Sequence, residues 1–295
     1  MKYIIILFLM TGSVRMVACD ICGCSIGGYH FGILPNYRYH YVGLRYQYAQ
    51  FHSIHEGENS TGDDYFHNVE LWGRTVLWKK VQLYGVIPYH FNRRVEDNTE
   101  NKVSGLSDIS VLAHYTLLDQ SNSEGDWKHF IQPGLGLKLP TGKYDVKVNK
   151  NTLAPAIQPG TGSLDEIASL IYIIKYKKFG WSNDFNYRLN GTNGNDYRFG
   201  NKTTVNSQFF WVSGINQAMI IPHVGATIEW SDADSERNKP VEFTGGSALG
   251  LLAGVDVYLG DISVGINTQL PLTQDLNQGQ TTAKPRWQLA ANYYF

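Results

Sequence analysis

The last ten residues of the chain alternate strictly between two sets of side chains. One set is Trp287, Leu289, Ala291, Tyr293 and Phe295. Side chains of a β-strand point alternately to its two faces, so this set would form one apolar face. About ten tilted residues of this kind can cross the hydrocarbon of a bilayer. An edge strand of a soluble sheet would show the same pattern, so the rest of the chain has to distinguish the two.

Alternation recurs along the chain after residue 36 and predicts about twelve strands. We expect them at residues 37–51, 66–79, 81–92, 106–118, 129–139, 164–177, 179–190, 198–213, 218–230, 247–259, 261–271 and 286–295. Short connections alternate with long polar ones, such as residues 52–65, 93–105 and 140–163. The stretch 164–177 is apolar on both faces, so its register cannot be assigned from the pattern.

Short turns at one end, long loops at the other and an even strand number are typical of outer-membrane β-barrels. A soluble sandwich has no reason to keep this asymmetry over the whole chain. We therefore predict an all-β fold: a transmembrane antiparallel up-and-down β-barrel of about twelve strands. It would be monomeric, surrounded by the lipid of a Gram-negative outer membrane, with both termini on the periplasmic side. The terminal Phe295 resembles the assembly signal of such barrels.

Composition agrees with a membrane barrel and argues against a nucleic-acid partner. The formal net charge is −1, whereas a nucleic-acid-binding surface needs a strong excess of basic residues. Aromatic residues make up 13% of the chain and charged residues only 17%. Several tryptophans are expected in girdles at the membrane interfaces. The candidates near strand ends are Trp72, Trp78, Trp181, Trp211, Trp230 and Trp287.

The N-terminus predicts a secretory signal at residues 1–18, in which Lys2 precedes a short apolar run. Residues 19–36 form a separate segment rich in Cys and Gly, placed on the periplasmic side or inside the barrel lumen. The barrel itself would occupy residues 37–295. Cleavage after Ala18 competes with a poor lipobox that would leave lipid on Cys19.

The spacing Cys19-x-x-Cys22-x-Cys24 could bring three thiolates onto one soft ion, such as copper or zinc. His30 is a candidate fourth ligand. A disulfide is the competing interpretation, because the compartment is oxidising. In the third interpretation Cys19 carries a lipid, and Cys22 and Cys24 form a pair.

Polar residues on the inward strand faces are the candidate lumen-lining residues. They would tune solute passage electrostatically. They are Arg45, Glu70, Arg74, His90, Asp108, His114, Asp184, Arg188, His223, Glu229 and Asp256.

Four stretches resemble a known family, the outer-membrane transporters grouped as "MetA-pathway of phenol degradation" proteins. They are GLSDISVLAHYTL (105–117), GLGLKLPTGKYD (134–145), PAIQPGTGSLDEIASLIY (155–172) and YRLNG with NDYRFGN (187–201). The start CDICGCS resembles a Bacteroidota-like branch of such proteins. The resemblance implies a barrel of about twelve strands and a transport role, with no catalytic residues.

The sequence therefore predicts passive transport of a small solute, either an apolar aromatic molecule or a metal ion. A non-conducting barrel that binds metal or recruits a partner is the alternative. A hydrolase at the barrel rim, built from residues such as Ser110, His114 and His223, has no recognisable catalytic spacing. We predict that the chain is not an enzyme.

Overall fold

The computed structural model describes residues 40–55, 60–96, 99–148, 151–215 and 217–295. The predicted signal peptide and the segment 19–36 lie outside these residues. Among the described residues, no helix is long and apolar enough to cross a bilayer.

Twelve antiparallel strands form the wall of the structure, and each one pairs with the next along the chain. They are β1 (Tyr41–His55), β2 (Ser60–Trp78), β3 (Val81–Glu96), β4 (Thr99–Leu106, Ser110–Tyr115 and Leu118–Asp119), β5 (Trp127–Lys138), β6 (Asp165–Tyr176), β7 (Phe179–Leu189), β8 (Lys202–Trp211 and Ser213–Ile215), β9 (Ala218–Ser231), β10 (Gly246–Leu259), β11 (Ile262–Leu276) and β12 (Thr281–Ala283 and Arg286–Tyr294).

The last strand closes the sheet into a barrel. Tyr294 of β12 lies opposite Tyr41 of β1, and on its other side β12 pairs with β11. The predicted fold class and strand number are confirmed. We call the end that carries the turns at 79–80 and 177–178, together with Tyr41 and Tyr294, the turn end. The opposite end is the loop end.

Two of the predicted long loops are wrong. Residues 52–65 and 93–105 mostly continue as paired strands, so that His55 lies opposite Ser60 and Glu96 opposite Thr99. The alternation of more and less buried side chains continues along residues 60–65, whereas Thr99 and Glu100 are both exposed. Both faces can be polar there, which is why their polarity suggested loops.

The outward face of the strands is apolar and exposed, as lipid contact requires. Leu44, Leu135 and Val264 leave more than half of their side-chain surface uncovered. Trp72 is an exception to the predicted girdles, because it lies inside the barrel and is 4% exposed. Gly43 makes room for it, since a Cβ added there would lie 2.8 Å from Trp72 Nε1.

The interior at the turn end is filled by an apolar layer, which explains the stretch that is apolar on both faces. Ile167, Ile171 and Ile173 of β6 point inward and pack with aromatic rings from other strands. Leu170 and Tyr176 point outward. The buried members of the layer are Tyr41, Trp72, Tyr84, Val86, Leu112, Phe130, Ile167, Ile171, Ile173, Phe210, Ile221, Tyr258 and Tyr294.

Candidate functional site

The structure places the predicted lumen residues on the inner wall, at several heights. Ten of the eleven are buried and Arg188 is half-buried. Most inward side chains between the two ends are buried, whereas a group on β10–β12 that includes Leu252, Asn267, Gln269 and Gln288 is half-buried. A twelve-stranded barrel is narrow, so these side chains fill its interior rather than line a wide pore.

Arg45 and Glu70 form a buried ion pair near the middle of the barrel. The two residues lie opposite each other on β1 and β2, and Arg45 Nε donates to Glu70 Oε2 at 2.6 Å. The Arg45 guanidinium also lies 4.8 Å from the centre of the Trp72 ring. Arg74 stacks similarly over Tyr41 at 5.2 Å. This part of the lumen therefore combines cations with aromatic faces.

A second charged group lies nearer the loop end. Arg286 Nη1 donates to Glu229 Oε1 at 2.7 Å, and Gln269 donates to the same oxygen at 3.1 Å. Lys202 lies 3.8 Å from the other oxygen. The sequence analysis found Glu229 but missed the three partners, since they lie on three other strands, β8, β11 and β12.

Two of the three predicted lumen histidines, His114 and His223, form separate polar contacts. His114 Nε2 lies 2.5 Å from Ser169 Oγ on β6. His223 Nδ1 lies 2.7 Å from Gln208 Oε1 on β8, and its Nε2 lies 3.6 Å from Asp256 on β10. All five side chains are buried, so they are placed to cross-link strands.

The connection between β5 and β6, residues 139–164, folds into the mouth of the barrel at the loop end. Its short helical turn Pro155–Ile157 buries Ala156 and Ile157 completely or almost completely. The Asn92 side chain on β3 donates to the Ile157 carbonyl oxygen at 2.9 Å. This connection therefore occupies the path through the barrel.

The walls around Ile157 come from many strands. They form an apolar cluster with the β5–β6 connection across the mouth. Its buried members are Ala49, Phe51, Phe66, Val103, Leu153, Ala156, Ile157, Ala248, Leu276 and Ala283. Apolar side chains therefore fill the barrel at two levels, in the turn-end layer and in this cluster at the mouth. Charged lumen residues such as Glu229 lie between the two levels.

A buried lysine and two carboxylates hold the base of this connection. Lys138 ends β5, Asp165 begins β6 and Asp108 lies in the break within β4. Lys138 Nζ lies 2.7 Å from Asp108 Oδ2 and 2.8 Å from Asp165 Oδ2. All three side chains are at most 5% exposed. We call these three residues the anchor.

The anchor also forms hydrogen bonds with the β5–β6 connection itself. Thr161 donates its backbone N–H and its hydroxyl to Asp108 Oδ2, each at 2.8 Å, and Gly142 N–H donates to Asp108 Oδ1 at 2.9 Å. Gly142 and Gly160 lie in backbone contact, because a Cβ added to Gly160 would meet Gly142 Cα at 2.7 Å. The sequence analysis quoted the motifs that contain Gly142 and Gly160 for the family resemblance and predicted no contact between them.

A sequence profile of the family described as "Putative MetA-pathway of phenol degradation" matches residues 47–216, more than half of the chain. The chain belongs to this family. The match contains the whole β5–β6 connection and all three residues of the anchor, and it ends before β9. The predicted resemblance is confirmed for the barrel, whereas the CxxCxC start lies outside the match.

Solved structures agree with the family in fold. The crystal structure of the COG4313 outer membrane channel from Pseudomonas putida F1 has a TM-score of 0.63 at 12% identity, over 92% of this chain and 100% of that chain. The β domain of the Bordetella autotransporter BrkA has a TM-score of 0.53 at 11% identity, over 87% and 100%. No curated protein sequence matches significantly. At this identity the likeness shows that this family member has the fold of an outer-membrane β-barrel.

The predicted metal ligands Cys19, Cys22, Cys24 and His30 lie outside the described residues. Within the described part of the chain, no group of three or more His, Cys, Asp or Glu side chains could hold a metal ion. Copper or zinc at the N-terminal segment stays a prediction.

Proposed function

We propose that this chain is an outer-membrane channel for a small solute, closed at rest by its own β5–β6 connection. The observation that carries the proposal is the position of Ile157, buried in the mouth among residues from opposite walls. The fold and the family support the outer-membrane location. The buried charged side chains of the inner wall, such as Arg45, Glu70 and Glu229, support passage rather than a purely structural interior.

Opening would require the β5–β6 connection to leave the mouth. Passage would also require side chains of the turn-end layer to rearrange, since rings such as Tyr84 and Phe130 are buried there. Motions of loops and exposed side chains are faster than motions of a closed barrel wall. The long loops would face the outside of the cell and the termini the periplasm, so the connection acts as a gate on the outer side.

The solute that this lumen suits best is a small organic molecule with an aromatic part. Trp72, Tyr41 and Tyr84 are buried in the turn-end layer beside the Arg45 and Arg74 cations, and they would offer aromatic surface to a solute once that layer rearranges. The family description refers to phenol degradation, which agrees with an aromatic solute better than with a metal ion.

Conductance of the purified barrel in a planar bilayer tests this proposal. The wild type should show rare openings, and a variant with the connection shortened by removal of residues 153–158 should be open most of the time. Uptake of an aromatic solute into proteoliposomes should rise with the open fraction.

A non-conducting barrel is the second candidate, and the filled interior favours it. It predicts that the shortened variant stays silent although it folds. That result would refute the channel.

A further inference from the structure

A pocket of about 410 Å³ lies outside the gate, between three connections at the loop end. One wall is the β5–β6 connection, from Tyr144 to Thr161. The other walls are the β7–β8 connection (residues 190–201) and the β9–β10 connection (residues 232–245). This volume suits a small ligand, since ligand pockets start at about 300 Å³. We call it the outer pocket.

Hydrogen bonds hold these three connections together. Asn193 Nδ2 donates to the Thr161 carbonyl oxygen at 2.9 Å, and Asn193 Oδ1 accepts from the backbone of Tyr197 at 3.1 Å. The Tyr197 hydroxyl donates to Asp234 on the β9–β10 connection. Tyr197 and Glu236 also lie opposite each other in a small sheet. The outer pocket is therefore preformed, which lowers the entropic cost of binding.

The gate contributes to this framework directly. Gln158 follows the buried Ile157, and its amide nitrogen donates to the carbonyl oxygens of Val146 at 3.3 Å and Leu153 at 3.0 Å. Gln158 and Leu153 both line the outer pocket. A molecule bound there would contact the gate and the neighbouring connections together.

The lining selects for an aromatic surface. Phe199, Pro155 and Val241 supply apolar wall. The Tyr144 ring packs flat against the backbone at Gly162, since a Cβ added there would lie 2.3 Å from the ring, and Gly162 has φ +73°. One face of Tyr144 is thus covered, and the ring can offer its other face to a ligand by stacking.

The rim of the outer pocket adds polar selection. Its acidic members are Asp145 and Glu236, and its cation Lys147 lies 3.9 Å from Asp145. Lys239 lies opposite Glu236 in the small sheet, so each of the two acidic side chains has a lysine beside it and the rim offers no net charge to attract an ion. The Tyr144 hydroxyl and the exposed Asn195 side chain can hydrogen-bond a neutral hydroxyl.

We propose that the outer pocket is a capture site for small uncharged aromatic alcohols, from which the solute passes to the gate. This inference rests on the proposed channel function for its purpose, although binding itself requires no flux. The solute would therefore make its first selective contact at the loop end rather than in the lumen.

The proposal is tested by the binding of 4-fluorophenol to the full chain in lipid nanodiscs. Broadening of the fluorine NMR line of the probe measures this binding. Empty nanodiscs correct for partition into lipid. We expect a dissociation constant on the order of 1 mM, as for a ligand of so few atoms. The matched probe 4-fluorotoluene, which lacks the hydroxyl, should bind several-fold more weakly.

Three variants locate the binding. Asn195→Trp fills the outer pocket from an exposed position and should abolish saturable binding. Tyr144→Ala removes the stacking ring and should weaken binding about five- to tenfold. Thr192→Ala changes an exposed residue of the same connection that does not line the outer pocket, and it should bind as the wild type does.

Saturable binding that Asn195→Trp leaves unchanged would overturn the capture site, and so would an absence of saturable binding to the wild type at about 20 mM probe. The channel is judged separately by conductance. A conducting barrel that does not bind refutes only the outer pocket, and a silent barrel that binds refutes only the channel.

Discussion

Replacement of Lys138 by methionine should open the channel, because it removes the only cation of the anchor. Met keeps most of the side-chain volume but leaves Asp108 and Asp165 buried without Lys138. Breaking a buried ion pair in this way costs about 3–5 kcal/mol. The cost falls on the closed state, since water reaches both carboxylates once the connection leaves.

This cost predicts a large change in gating. It shifts the equilibrium between closed and open states by about 140-fold to about 4,000-fold. If the wild type is open about 0.1% of the time, the low end of this range raises the open fraction to about 12%. Single-channel recording in a planar bilayer resolves such a change directly.

The matched control is Lys102→Met, at an exposed lysine of the loop-end hairpin that lies 2.8 Å from Glu100. Exposed ion pairs contribute about 0–1 kcal/mol, so this variant should gate like the wild type. Resistance of the barrel to unfolding in cold detergent verifies that both variants are folded. A folded Lys138→Met channel with wild-type open probability would show that the anchor does not hold the gate.

Three further changes test other parts of the structure. Ile157→Asp should raise the open probability in the same recordings, because it places a carboxylate in the apolar cluster of the mouth. Gly160→Val should do so as well, since its Cβ would lie 2.7 Å from the Gly142 backbone and prevent close contact. Arg286→Met should lower the free energy of unfolding, measured in denaturant from lipid vesicles, by about 3–5 kcal/mol, because it leaves the buried Glu229 without its closest cation.

Each of these three has a control at a site of similar chemistry. Ile157→Leu keeps the apolar contact and should remain closed. Gly85→Ala adds a methyl group where no atom lies within 4 Å, so it should leave gating unchanged. Arg93→Met breaks an exposed pair with Glu100 and a contact with the Tyr65 ring, so it should cost at most about 2 kcal/mol. If a variant and its control behaved alike, the contact in question would not have the assigned role.

The barrel wall could be predicted from the sequence because each strand obeys one local rule. Lipid outside and polar groups inside force alternation, and that rule gave all twelve strands and their order. The alternation rule misplaced the ends of β1–β4, because strands that project beyond the apolar band can be polar on both faces. It also could not orient β6, whose inward Ile171 and Ile173 fill the turn-end layer.

The position of the β5–β6 connection in the mouth could not be predicted, because the connection has no periodic pattern and is placed by residues that are far apart in the sequence. Asp108, Lys138 and Asp165 come from three separate parts of the chain and meet only when β4, β5 and β6 are side by side. The inward direction of the β5–β6 connection depends on Ile157 joining an apolar cluster whose other members include residues of β1, β2 and β11. Nothing in the local sequence distinguishes a connection that folds into the mouth from an exposed loop.

The position of the family match bears on which property family members share. Residues 47–216 contain the anchor and the β5–β6 connection but exclude Arg45, Glu229, Asp256 and Arg286, so four charged residues of the inner wall lie outside the match. The anchor and the β5–β6 connection thus lie in the part of the chain that matches the family profile, whereas the strands that carry Glu229 and Arg286 do not. It follows that substitutions in the anchor should alter gating for every solute alike, whereas substitutions around Glu229 should alter selectivity without changing the open probability.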